Sequence, residues 1–162
     1  MQIKNRKNIS IILFLSLFVF NLNLSAEEFD ITAKEILIDN ENKILVGKGS
    51  VQAIDSEGKR IYANKITYEK SREFLLAEGN VKIIDIEGNI LKTDRATYDK
   101  INELIISYDN TELLLKEGYK LITKDVSYDT KEMILSSNKN SILSDADGNI
   151  IETNMFQYQI KN

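Results

Sequence analysis

Cysteine, histidine, proline and tryptophan are all absent from this 162-residue chain. Each absence excludes something. Without thiol or imidazole there is no Cys nucleophile, no His base, and no zinc, haem or iron–sulfur site of the usual kinds, so neither a metal nor a cofactor is expected. Without cysteine no disulfide can staple the fold, and stability must come from apolar burial. Without proline the usual strand-breaker is missing, which leaves long uninterrupted elements open. Glycine is scarce, at seven residues, so its placement carries information.

The start of the chain reads as a leader. Lys4, Arg6 and Lys7 precede an apolar run from Ile9 to Phe20, and Leu24-Ser25-Ala26 offers small residues for cleavage. This is the pattern of a secretory signal peptide, 1–26, cut after Ala26. The run is short for a bilayer span of about 20 residues. The exported domain is then 27–162. Taking away the three basic leader residues leaves 18 basic against 25 acidic side chains, a net charge of −7 compared with −4 for the whole chain. Such an acidic domain is a poor partner for nucleic acid.

Self-similarity is the strongest signal. Tyr68, Tyr98, Tyr128 and Tyr158 recur at a step of thirty residues, and Gly58, Gly88, Gly118 and Gly148 share that step. The domain divides into repeats at about 28–57, 58–87, 88–117 and 118–147, with a half repeat at 148–162; Ile38 holds the tyrosine position in the first. Each repeat contains two short apolar runs rich in β-branched and aromatic residues, bounded by polar turns. Turns such as Asp55-Ser56-Glu57-Gly58 and Asp85-Ile86-Glu87-Gly88 alternate with Glu69-Lys70-Ser71-Arg72 and Asp99-Lys100-Ile101-Asn102. The pattern predicts one β-hairpin per repeat and an antiparallel meander of about nine strands.

Side-chain parity adds a bend. Ile61 and Ala63, like Leu91 and Thr93, sit two apart, but the next apolar pair, Ile66 and Tyr68 or Ala96 and Tyr98, has shifted parity. A strict period-2 strand cannot keep both pairs on one face. A bulge or corner is expected at Asn64-Lys65, Asp94-Arg95 and Lys124-Asp125. Stacked bent hairpins make a trough or flattened roll with one apolar inner surface. The tyrosine column is expected to stack between adjacent strands.

Ala63-Asn64-Lys65-Ile66-Thr67-Tyr68, followed by Phe74-Leu75-Leu76-Ala77-Glu78-Gly79-Asn80-Val81, resembles the repeat motif of OstA-like domains. That family includes the periplasmic lipopolysaccharide-transport protein LptA and the N-terminal domain of the outer-membrane assembly protein LptD. Thr93-Asp94-Arg95-Ala96-Thr97-Tyr98 fits as well, whereas Asp109 and Lys139 replace the glycine seen at Gly49 and Gly79. The resemblance spans 28–162 and implies an all-β fold, a bent antiparallel β-jellyroll of stacked thirty-residue hairpins. It implies a non-enzymatic periplasmic carrier of lipopolysaccharide, associated with the outer membrane if LptD-type, with the LptD-type reading slightly ahead of a stand-alone LptA-like bridge. The acyl chains of lipid A would lie in a groove of Ile36, Leu45, Ile66, Tyr68, Leu75, Ile83, Ala96, Tyr98, Ile105, Val126 and Tyr128. Other OstA-like jellyrolls would dock by pairing with the final edge strand, through Phe156 and Tyr158.

Other readings compete with this one. A structural or adhesive repeat protein would have the same apolar rows, closed as an ordinary core without a lipid ligand. A polysaccharide-cleaving solenoid would need a pair of converged carboxylates. Asp55, Asp85 and Asp145 recur at equivalent turn positions, which makes them turn formers. Asp145-Ala146-Asp147-Gly148-Asn149 lacks the glycine and glutamate spacing of a calcium loop.

Overall fold

The computed structural model describes residues 29–160; the expected signal peptide, 1–26, lies outside the described residues. Fourteen strands follow in chain order: β1 (Phe29–Thr32), β2 (Glu35–Asp39), β3 (Ile44–Asp55), β4 (Arg60–Glu69), β5 (Phe74–Ile84), β6 (Ile90–Asp99), β7 (Leu104–Tyr108), β8 (Thr111–Leu114), β9 (Lys120–Thr123), β10 (Val126–Asp129), β11 (Ile134–Ser137), β12 (Ser141–Ser144), β13 (Ile150–Thr153) and β14 (Phe156–Gln159). Five successive pairs, β1/β2, β7/β8, β9/β10, β11/β12 and β13/β14, are each one strand interrupted at mid-length. With the four long strands they make the expected nine. Every pairing between them is antiparallel.

Each strand bends, and its two halves join different leaves of one sheet. The first leaf runs β2, β3, β4, β5, β6, β7, β10, β11, β14; the second runs β1, β3, β4, β5, β6, β8, β9, β12, β13. The apolar side chains of both leaves point into the angle between them. In β4, Ile61 and Ala63 from the second leaf and Ile66 and Tyr68 from the first are all buried, which is the expected parity change. The Phe29 ring, on the second leaf, meets the Tyr68 ring of the first edge-on at 4.9 Å and that of Tyr98 at 5.8 Å. One apolar core therefore fills a sheet folded back on itself.

The corner sits at the expected height, but the other strand makes it. Pairing jumps from Lys48↔Lys65 to Val51↔Ala63, and from Glu78↔Arg95 to Val81↔Thr93. The extra residue therefore belongs to Gly49-Ser50 and Gly79-Asn80, and Asn64 and Asp94 stand opposite. Both residues of each pair take positive φ: 75° and 54° in β3, 75° and 50° in β5. Glycine is needed at the first position because a Cβ on Gly79 would lie 2.8 Å from the Asn64 side-chain nitrogen. Where Asp109 replaces it, at φ 66°, the strand divides into β7 and β8.

The glycine turns hold another regularity. Gly58, Gly88, Gly118 and Gly148 have φ of 96°, 94°, 92° and 86°, the left-handed region that glycine enters at little cost. Asp55 Oδ1 accepts the Glu57 and Lys59 backbone N–H groups at 3.0 and 2.8 Å. Asp85 and Asp145 do the same for Asn89 and Asn149. These acids are turn formers, as their periodicity implies.

The expected aromatic stack does not form. Along the first leaf Tyr68 pairs with Leu75, Leu75 with Tyr98, Tyr98 with Ile105, and Ile105 with Tyr128. A hairpin repeat advances two strands, so like residues stand about 9.5 Å apart, twice the strand spacing. Aliphatic side chains separate the rings.

Candidate functional site

The candidate site is the interior between the leaves, together with the seam where the leaf rims meet opposite the bend. Among the described residues no strand ladder joins the leaves along that seam. Side chains from the turns close it instead.

The first rung is ionic. Tyr98, on the first leaf, lies with its hydroxyl 3.2 Å from Asp55 Oδ2 and 2.9 Å from Glu103 Oε2. Asp55 thus builds its own turn with one oxygen and faces the opposite leaf with the other. Lys100 Nζ donates to Glu103 at 2.6 Å and to Glu57 at 2.7 Å. Lys59 Nζ contacts Glu57 and lies 3.3 Å from Glu103 and 3.4 Å from Asp55. Both lysines and Asp55 are buried. Thr130 Oγ1 donates to Glu103 at 2.8 Å.

These contacts set the charges. Burial opposes ionisation of Glu103, but hydrogen bonds from Lys100, Thr130 and Tyr98, with the Lys59 charge, bring its pKa down to about 2. Burial likewise works against the charge on Lys100, but its bonds to Glu103 and Glu57 raise its pKa above the ordinary lysine value. Tyr98 is pushed well above the usual phenol range, by burial and then by the Asp55 and Glu103 charges.

The second rung is simpler. Tyr128 donates to Asp85 Oδ2 at 2.9 Å, an oxygen that also accepts from Asn89 Nδ2 at 2.7 Å. Burial and then the Asp85 charge raise the Tyr128 pKa. Behind this rung the free space is about 10 Å³, lined by Ile83, Leu91, Ile105, Leu113 and Tyr128 among others. That is about the room of a single water, so the interior here is filled by protein.

The third rung differs again. Leu115 stands where Asp55 and Asp85 stood, and Tyr158 donates to the exposed Glu117 at 2.8 Å. The Tyr158 ring is 6.3 Å from that of Tyr119. Burial and the Glu117 bond raise the Tyr158 pKa to about 12. Behind it the leaves enclose an apolar pocket of about 130 Å³. Leu113, Leu121, Leu143 and Ile151 come from the second leaf, and Leu135, Phe156 and Tyr158 from the first.

Of the expected groove residues, Ile66, Tyr68, Leu75, Ile83, Ala96, Tyr98, Ile105, Val126 and Tyr128 are buried in the common core. Leu45 is half-buried. Ile36 occupies an inner-row register position, opposite Gly47, but lies on the first leaf's edge strand and is 42% exposed. Phe156 and Tyr158 are half-buried on β14, at the opposite edge of that leaf, and line the end pocket. The expected set omits the rung groups Asp55, Lys59, Asp85, Lys100 and Glu103. Their signal was present as an offset of 43 residues between turn acid and tyrosine, held in two repeats. Among the described residues no group of acidic side chains converges as a metal site, and no helix is long and apolar enough to cross a membrane.

No family model and no curated protein matches the sequence. Among solved structures the fold is similar to LptH, the LptA homologous periplasmic component of the conserved lipopolysaccharide transport device from Pseudomonas aeruginosa. The TM-score is 0.61 at 15% identity, over 77% of this chain and 93% of that one. The all-β jellyroll implied by the repeat motif is the fold this chain has.

Proposed function

We propose that this chain is a periplasmic, non-enzymatic carrier of lipopolysaccharide that shields acyl chains between its two leaves and leaves the sugar headgroup in water. The observation that carries this reading is the apolar pocket behind Tyr158, in a fold similar to that of LptH. Burying a methylene is worth about 0.8 kcal/mol, so several acyl chains together offset the loss of leaf-to-leaf contacts. Nothing in the sequence resembles a phosphate-binding glycine loop, and the energy for directed transport is supplied by partners.

The docking partners are other OstA-like jellyrolls. The outer edges of β13 and β14 carry no ladder partner among the described residues, and a free edge accepts an added strand. Phe156 and Tyr158 are the side chains such a strand would cover. The likeness to LptH, the LptA homologous periplasmic component of its transport device, supports the LptA-like reading.

The filled interior behind the second rung favours a second reading, a structural repeat protein with a closed core. Site-specific photocrosslinking in cells separates the two. Probes at Leu143 and Ile151, on the inner face, are expected to yield lipopolysaccharide adducts, and a probe at the outward Glu152 none. Failure at both inner positions would establish the closed core.

A further inference from the structure

An antiparallel sheet with one solvated face alternates apolar side chains inward with polar ones outward. The outer face of the second leaf departs from that rule. Register places Ile54, Arg60, Ile84, Ile90, Leu114 and Lys120 in one outward row beside the seam. The next outward row, towards the corner, runs Tyr62, Lys82, Lys92, Glu112, Ile122 and Ile142. Ile86, in the β5–β6 turn at the rim of this face, is 60% exposed, and Ile122, Ile142 and Ile150 are exposed as well. The charges here are of one sign. These two rows hold four bases and one acid, in a chain of net charge −4. Lys82 stands directly opposite Lys92, a like-charge pair that weakens a sheet. Glu112 is shared between Lys92 at 2.8 Å and Lys120 at 2.7 Å, which leaves Lys82 without an ion pair among the described residues.

From this face we infer that the second leaf docks on an anionic lipid surface, with its seam-side row against the headgroups. Lysine and arginine heads reach phosphate while their stems and the aliphatic row between them cover apolar surface. The face is broad enough to spread over many headgroups, and it brings the seam to the lipid. Net negative charge does not forbid this. Packed sheet faces lie about 10 Å apart, more than a Debye length of about 8 Å at physiological salt, so the first leaf's acids are screened from that surface. A second copy of this chain is a poorer fit. The acids on the outer face of the first leaf are already engaged, Asp99 and Asp129 by their own turns and Glu69 by Arg72 at 2.9 Å. The inference concerns the outside of the roll and goes beyond the carrier reading.

The chain has no tryptophan, so a single introduced indole reports which face meets lipid. Two full-length variants serve: Ile84→Trp on the outer face of the second leaf, and Leu76→Trp on that of the first. Each is titrated with vesicles of phosphatidylglycerol or of phosphatidylcholine whose acyl chains carry bromine, which quenches indole fluorescence on contact. Phosphatidylglycerol vesicles are expected to quench Ile84→Trp several-fold more than Leu76→Trp, and phosphatidylcholine vesicles to quench both weakly. Adding Lys82→Gln and Lys92→Gln relieves the like-charge pair and leaves Glu112 its Lys120, so the fold is kept. At about fivefold per base near an anionic surface, these two changes should raise the vesicle concentration for half-quenching of Ile84→Trp roughly thirty-fold. Equal quenching of the two indoles, equal quenching by the two lipids, no quenching, or no effect of the glutamines would each overturn the inference. A blue shift of Ile84→Trp that grows with protein concentration in the absence of vesicles would show a second copy on this face, and overturn it too. The carrier reading is decided separately, by the crosslinking probes at Leu143 and Ile151 between the leaves.

Discussion

Lys59 Nζ lies 3.3 Å from Glu103 Oε2. The two residues stand 44 positions apart, in the β3–β4 turn of one leaf and the β6–β7 turn of the other, so this ion pair ties the leaves directly. Glu103 adopts a left-handed backbone at φ 53°, as Lys43, Glu73 and Met133 do at the same turn position in the other repeats. Lys59, Lys100, Tyr98 and Thr130 all converge on its carboxylate.

Glu103→Ala removes the shared acceptor and leaves two buried lysines with fewer counter-charges. Breaking a buried pair on one side costs about 3–5 kcal/mol. Equilibrium urea unfolding should show a loss of that order, with Glu103→Gln losing less because it keeps the Tyr98 and Thr130 bonds. A loss below about 1 kcal/mol, the range of exposed pairs, would contradict the buried network.

Acid should loosen the seam in a defined window. The Glu103 pKa is lowered from 4.5 to about 2, and that of Glu57 is lowered by its bonds to Lys100 and Lys59. A lowered folded-state value means a stabilising contribution present above the unfolded pKa and lost as pH falls through the folded one. Stability should therefore decline between about pH 4.5 and 2, and Glu103→Gln should flatten the decline. Thermal unfolding midpoints across that range provide the check.

The alkaline limb has the opposite sign. Tyr98 and Tyr128 bind their protons more tightly folded than unfolded, through burial and the facing carboxylates. Their contribution is complete below the unfolded value of 10 and is lost above it. Ultraviolet titration should resolve these two phenols as groups that ionise only with unfolding, and Tyr98→Phe/Tyr128→Phe should abolish that late step. Two phenols titrating normally in the folded protein would contradict the rungs.

Gly79→Ala and Gly88→Ala separate two roles of glycine. Both positions have positive φ, but a Cβ at Gly79 meets Asn64 at 2.8 Å while one at Gly88 meets nothing within 4 Å. Gly88→Ala should cost about 1 kcal/mol, the penalty of a left-handed alanine. The corner variant should cost roughly 1–3 kcal/mol more, through overpacking against its neighbour strand. Equal losses in urea titrations would show that Asn64 yields freely.

Much of the architecture was legible because repeats state their rules several times. A thirty-residue step in two residue types implied hairpins, and the parity change between Ala63 and Ile66 implied a bend. The strand that makes the bend was harder to read. Asn64-Lys65 and Gly79-Asn80 both interrupt the apolar pattern, and only pairing register shows that the extra residue is on the glycine side. The tyrosine column misled for a related reason, since a period of one hairpin places like residues two strands apart.

The sequence by itself determined the strands, the turns, the inward rows and the sites of the corners, because these depend on alternation and local backbone preference. What tertiary structure decided is how the leaves meet. Asp55 with Tyr98, Asp85 with Tyr128, and Leu115 beside Tyr119 and Tyr158 become rungs only when the sheet folds back and brings each turn against the strand 43 residues downstream. Contact between side chains on opposite leaves depends on the angle and separation of those leaves. Packing of the whole core fixes both, and no short window of sequence encodes them.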